Sequence, residues 1–322
     1  MSLPSAVKGI HGVARILAAL LRALRRIPKF DEAIERVQRV LLNPVVVRLV
    51  QEPADPDLDK ALQLYEKRIP DYQAFEPSDI IRWLRDDLEG RQRKSAPSTD
   101  WFLVAKHRRQ LGGFVLFHYF PKHRLAFFAY MVVANTPGAP LNTVSANLCG
   151  TVSRLLRTRK ELRGCSRLIL EVEDPRKEKS AKKQDECLAR VRRFCTLAEM
   201  QGLSMRALDI DYVQPKLSMG DSVSVERPLL LMSARTWQTK GYAEIDRMEV
   251  EQILSFIYTD LYPEGYSTDP RENTAYREYC AEVRDRTIAS LQGPIRSLSC
   301  AELVSQVRNM RQKKSNAREG KE

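Results

Sequence analysis

Glu171 and Glu173 stand two residues apart at the end of the apolar run Arg167 to Val172. In a strand that spacing puts both carboxylates on one face. Paired there, they can hold a substrate ammonium, or one can take its proton through a water, its own proton affinity raised by the other charge. The rival reading is a solvated strand end paired with bases, of which Arg176, Lys177 and Lys179 are nearest in sequence. Other chemistries find less support. His107, His118 and His123 lie on or between strands without a spaced Ser, Cys or Asp partner, which gives no triad. The 6 cysteines form no CxxC pair and only 4 histidines occur, so no metal site is expected. Free thiols fit a reducing compartment, most simply the cytoplasm.

The elements that must position these carboxylates are legible as runs. Val45, Val46, Val47, Leu49 and Val50 read as a strand, Pro53 to Pro56 as a turn, and two helices follow, over about 58–69 and about 80–88. Trp101 to Lys106, Gly112 to Phe120 and Leu125 to Val133 predict an antiparallel meander rich in β-branched and aromatic residues. The third run is almost continuously apolar, as a strand covered on both faces must be, which makes it the centre of the sheet. A helix over Thr143 to Thr158 precedes the strand of the carboxylates. Beyond the charged insertion Pro175 to Asp185 a helix runs through Leu188, Val191 and Cys195 and stops at Gly202. Two strands, Arg206 to Val213 and Pro228 to Ser233, and then two helices complete the order.

With 322 residues, 43% hydrophobic and 29% charged, the composition is that of a globular protein with a sizeable core. No apolar run reaches the roughly 18 residues that span a bilayer. The net charge of +12 invites a nucleic-acid reading. Residues 1–30 hold six basic residues and no acidic one, and 301–322 hold six basic and three acidic, so the middle carries only a small surplus. The ends can therefore meet an anionic partner, RNA or a membrane surface. Residues 6–27 form an amphipathic basic helix, read as an interfacial anchor, a targeting segment, or a helix packed on the core.

The order of strand, two helices, three-strand meander, helix, strand, helix and two strands resembles the GNAT superfamily of acyl-CoA-dependent N-acetyltransferases over roughly Val45 to Ser233. Two strings add to it. Glu171, Val172, Glu173, Asp174, Pro175 and Tyr212, Val213, Gln214, Pro215 are similar to strings at the same element boundaries in a bacterial subgroup with a helical extension. The resemblance implies an α/β fold with a mixed, mainly antiparallel central sheet flanked by helices and with helical additions at both ends. It divides the chain into a basic helical segment 1–43, an acyltransferase domain 44–237, a helical extension 238–300 and a basic tail 301–322.

The same resemblance implies acetyl-CoA, or another acyl-CoA, as co-substrate and no metal. The fourth strand would receive the pantetheine arm at Val132, Val133 and Ala134, and the next helix start the pyrophosphate at Leu141, Asn142, Thr143, Val144, Ser145 and Ala146. The family's Q/R-x-x-G-x-G/A turn is altered here, with Pro140, Thr143 and Ser145 in its three marked places. The usual acid, a Tyr on the helix after the fifth strand, is missing: Ala198 falls nearest its place and Cys195 one turn earlier. Tyr212 is then a substitute acid or a wall of the acceptor pocket. Tyr258, Tyr262, Tyr266, Tyr276 and Tyr279 form either a lid or the packing of the extension onto the sheet. The implied function is acetyl transfer to a small-molecule or protein amine by direct attack on the thioester. The alternative is a catalytically inactive GNAT-like module for ligand sensing or protein interaction.

Overall fold

The structure, a computed structural model, describes residues 45–70, 75–93, 98–134, 141–217, 226–236, 242–263 and 269–319. The expectations for 1–43, Pro140 and Tyr266 lie outside those residues. The strands are β1 (Val45–Leu49), β2 (Thr99–His107), β3 (Gln110–Phe120), β4 (Leu125–Val133), β5 (Arg167–Glu173), β6 (Arg206–Leu208), β7 (Val213–Gln214), β8 (Arg227–Arg235), β9 (Glu244–Ile245) and β10 (Ile295–Leu298). The helices are α1 (Pro56–Arg68), α2 (Pro77–Arg93), α3 (Leu141–Thr158), α4 (Ala181–Met200), α5 (Arg247–Phe256), α6 (Pro270–Ala289) and α7 (Cys300–Glu319). Side chains set several helix starts. Asp55 accepts from the Asp57 N–H ahead of Pro56, and Ser180 accepts from the Lys183 N–H, which starts α4 inside the lysine-rich insertion.

The sheet runs β1-β2-β3-β4-β5-β8-β6-β10-β9, with β7 beside β8. Among the described pairings only β4 with β5 is parallel. This is the mixed, mainly antiparallel arrangement expected, with β4 near its centre. The C-terminal part differs from the expectation: it supplies β9 and β10 to the sheet itself. Nor is the stretch from 301 a separate tail, because Leu303, Val304 and Val307 of α7 are buried in the core.

Three apolar clusters fill the two faces. On one face α3, α4 and α7 pack through Val152, Leu188 and Leu303. On the other, α1 and α2 form one cluster with Leu58 and Ile80, and α5 and α6 form another with Ile253 and Val283. Ala129 of β4 touches both of these, so they share a face and meet over the sheet centre.

β3 can approach β4 closely because Gly113 has no side chain. A Cβ there would lie 2.5 Å from the Val132 carbonyl oxygen and 3.0 Å from Val133 Cα, both backbone atoms. Gly113→Ala should therefore displace the end of β4 and lower stability by about 1–3 kcal/mol, the usual cost of overpacking. Chemical denaturation beside the unsubstituted chain measures it, and an unchanged midpoint would refute the close approach.

Candidate active site

β4 and β5 run in register from Leu125 opposite Arg167 to Phe128 opposite Leu170, and the ladder stops there. The cause is visible on both sides. β3 pairs Leu116 with Tyr130 and Phe117 with Phe128, so Ala129 is an extra residue that bends β4. β5 meanwhile stays with β8 as far as Glu173 opposite Leu229. The strands part, and burial changes at the fork: the first four residues of each are buried, whereas Ala129, Tyr130, Met131, Glu171, Val172 and Glu173 are partly open. The Ala134 N–H donates to the Gly112 carbonyl at 2.9 Å, so by the alternation of an antiparallel ladder Met131 and Val133 turn their N–H and C=O toward the gap.

Glu171 sits at the fork on the face of α5 and α6. The Tyr262 hydroxyl donates to its Oε2 at 2.6 Å, Gln214 Nε2 donates to the same oxygen at 3.2 Å, and the Tyr212 hydroxyl donates to Oε1. Burial pushes the carboxyl up to about 7, against the three hydrogen bonds, which favour its charged form. Burial and the neighbouring Glu171 charge hold the Tyr212 and Tyr262 hydroxyls well above their ordinary range.

The tyrosines also fix the segment that carries two of these donors. α5 passes into a π-helical turn, Ile257–Leu261, from which the Tyr258 hydroxyl donates to the Val213 carbonyl. From α6, Tyr276 donates to the Lys216 carbonyl at 2.6 Å, and the Tyr279 oxygen accepts from the Lys216 N–H at 3.0 Å. These contacts fit the packing reading of the tyrosine cluster: the hydroxyls pin the Tyr212 to Lys216 segment against Glu171.

Across the fork stands Tyr130, whose hydroxyl is pushed up to about 12, chiefly by burial and also by the charge of Glu171. Its ring packs edge-on against Tyr65 of α1 with centroids 4.9 Å apart, and the Tyr65 hydroxyl donates to the Phe75 carbonyl at 3.1 Å. Tyr130 against Tyr65 of α1 and Glu171 against Tyr262 beside the π turn thus stand on the two sides of the fork. Neither the roles of Tyr130 and Gln214 nor the placing of Tyr262 is apparent from residue spacing. A lone hydroxyl inside the nine-residue run of β4 was the available signal for Tyr130.

The other expected residues divide. Glu173 does not join Glu171: it pairs with Arg190 of α4, and the Cys187 thiol lies 3.5 Å from its Oε2. Arg176 pairs instead with Asp174 and Asp209, and Lys177 with Asp211. Tyr212 is at the site, with its proton directed to Glu171. Val132 faces the α1 and α2 cluster, and Ala134 is already bonded to Gly112, which leaves Met131 and Val133 at the gap. Leu141, Asn142 and Thr143 open α3, and its first turn has no acidic residue. Val144 packs on Gly112, Ser145 is buried, and Ala146 is half-buried. Cys195 is buried as a small apolar group.

One further expectation is overturned here. His118 does have a partner, Asp100 directly across the β2–β3 ladder, with Nδ1 2.5 Å from Oδ1 and Trp83 edge-on to the ring. All six cysteines are free thiols, and no cluster of His, Cys, Asp or Glu among the described residues could hold a metal ion. No helix among the described residues is long and apolar enough to cross a membrane.

No protein-family model matches the chain, and neither does any curated protein. Solved structures do. The chain is similar to an acetyltransferase of the GNAT family from Bacteroides thetaiotaomicron, with 16% identity, 67% of this chain and 98% of that chain covered, and a TM-score of 0.41. It is also similar to one of the GNAT family from Desulfovibrio desulfuricans, with 16% identity, 60% and 99% covered, and a TM-score of 0.37. A Salmonella typhimurium acetyltransferase, described as modifying the N-terminal serine of ribosomal protein L7/L12, matches at 9% identity over 59% and 93% of the two chains, with a TM-score of 0.36.

Proposed function

We propose that the chain transfers an acyl group from a coenzyme A thioester to an amine, with Glu171 as the base. The observation that carries this reading is the fork itself, an opened strand edge with a part-buried carboxylate and hydroxyls at its mouth. Acyl-CoA would supply the activated acyl group. Met131 and Val133 offer backbone donors and acceptors for an extended amide-bearing arm, and the α3 start offers N–H groups without a competing acid. The buried position of Ser145 keeps its own side chain out of these helix contacts.

Glu171 takes the proton from the substrate ammonium and leaves a neutral nitrogen. The nitrogen–carbon bond then forms as the carbon–sulfur bond breaks, and backbone N–H groups at the gap meet the charge on the carbonyl oxygen. Tyr212, Gln214 and Tyr262 orient the carboxylate through their hydrogen bonds. The surplus proton left on the new amide nitrogen passes to the departing thiolate, and Tyr130 on the other side of the fork would relay it, giving its own proton to sulfur and regaining one from nitrogen.

Acetyl-CoA should raise the thermal transition by the linkage term, about 2.7 kcal/mol at a hundredfold excess over its dissociation constant. Thiol release with a panel of amines then separates an enzyme from an inactive module. Absence of any shift with acetyl-CoA and longer acyl-CoA at saturating concentration would overturn the reading.

A further inference from the structure

The two faces of the sheet differ in charge. Residues 141–166, α3 and the turn after it, carry five basic residues and one acidic, α4 five and three, and α7 to Lys313 three and one. That is a surplus of eight positive charges on one face. Opposite, the described side chains of α1, α2 and α6 balance, and residues 247–263 carry one basic residue and three acidic. The small surplus of the chain's middle is therefore the remainder of a strongly polarised molecule.

The basic side chains form one surface, because α4 packs against both α3 and α7. Arg157 reaches the Gln201 carbonyl at the end of α4 at 2.6 Å, and Arg311 pairs with Asp185 near its start at 2.9 Å. Between these ties the charge is exposed and unspent. Arg159 and Arg163 after α3, Arg192 and Arg193 on α4 and Arg308 on α7 have no ion-pair partner among the described residues.

The surface is unsuited to most anionic partners. A protein partner needs apolar anchors at the centre of its footprint, and an interfacial membrane helix needs an apolar side to insert. Among the described residues the large exposed apolar side chain on this face is Met200, at its edge. Single-stranded nucleic acid needs aromatic platforms, and Phe194 of α4 is instead turned edge-on to Phe128 at 5.7 Å. What remains is a regular array of phosphates. Arginine suits it, since its fork binds phosphate oxygens in pairs. α4 alone spans about 30 Å, close to one turn of a duplex at about 34 Å.

We propose that the α3, α4 and α7 face docks the phosphodiester backbone of a nucleic-acid duplex, without reading its sequence. The fork's acceptor side lies on the opposite face, so docking leaves it open.

The test uses the full chain and labelled RNA and DNA duplexes of one sequence, about two turns long, in fluorescence anisotropy from about 50 to about 200 mM salt. Contact with about six phosphates predicts a roughly 10³-fold loss of affinity across that range. The variant Arg159→Gln, Arg163→Gln, Arg192→Gln, Arg193→Gln should bind more weakly and flatten the log–log salt slope by about one for each contact removed. Its acetyl-CoA shift should be unchanged. The same four positions changed to Lys should retain most binding, which separates charge from any loss of folding. Arg15→Gln, Arg22→Gln, Arg25→Gln, Arg26→Gln should bind as the unsubstituted chain does. Equal affinity for both duplexes, or preference for either, supports the proposal and identifies the source of the phosphates. It is overturned if neither duplex binds at low salt, or if only the N-terminal variant loses affinity. Equal binding to phosphatidylserine vesicles or polyglutamate also overturns it.

Discussion

Glu171→Gln should lower turnover by about 10²- to 10⁴-fold, the usual loss for a general base, and leave acyl-CoA affinity unchanged. The amide keeps the shape of the carboxyl and removes its capacity to take a proton. Activity of the unsubstituted chain should rise with pH along a limb whose midpoint lies at about 7, where the carboxyl is pushed by burial, and this limb should vanish in the variant. Glu173→Gln is the contrast. It breaks an outer pair with Arg190 that is worth at most about 1 kcal/mol, and it should leave the rate intact. Full activity in Glu171→Gln would remove the residue from the chemistry.

Stability gives the same substitution a second readout. Folding raises the Glu171 carboxyl from an ordinary 4.5 to about 7, so the folded chain binds the extra proton more tightly than the unfolded chain does. Its contribution is complete below pH 4.5 and is lost as pH climbs through 7, on the order of 3 kcal/mol in all. Glutamine pays none of that penalty. The variant should therefore be more stable than the unsubstituted chain at pH 8 and less active, a trade expected of a base held in an unfavourable place. Urea denaturation at pH 5 and pH 8 measures the difference.

The sequence already placed Glu171 at a strand end, because a carboxylate closing an apolar run is conspicuous. It did not reveal the partners, since Tyr212 and Tyr262 lie 41 and 91 residues away and only the sheet order joins them. Strand alternation also predicted that Glu173 would share its face. The β5–β8 ladder ends at Glu173, so the pleat no longer fixes its side chain and Arg190 draws it to α4. Ser145 was legible in principle: with Leu148 and Val152 it lies at helical spacing on the buried stripe of α3. The same residue falls in the place of the family's phosphate turn, and the two patterns compete for it.

Ending the chain at Ser299 should abolish the cooperative unfolding transition. The basic composition of 301–322 suggests a dispensable tail, but α7 buries Leu303, Val304 and Val307 against α4 and the sheet. Truncating one buried leucine typically costs about 2–5 kcal/mol, and whole domains are stable by only about 5–15 kcal/mol. Losing three buried side chains together exposes the apolar surface of α4 as well. Polar ties go with them: Glu302 accepts from the Ser299 N–H at 2.7 Å and from Arg206 at 3.2 Å, which anchors β10 beside β6. Leu303→Ala alone should lower the urea midpoint by the single-leucine cost, whereas a chain ending at Lys313 keeps every one of these contacts and should unfold as the full chain does. A cooperative transition in the chain ended at Ser299 would mean that the helix is accessory, and the core would then have to close over α4 by itself.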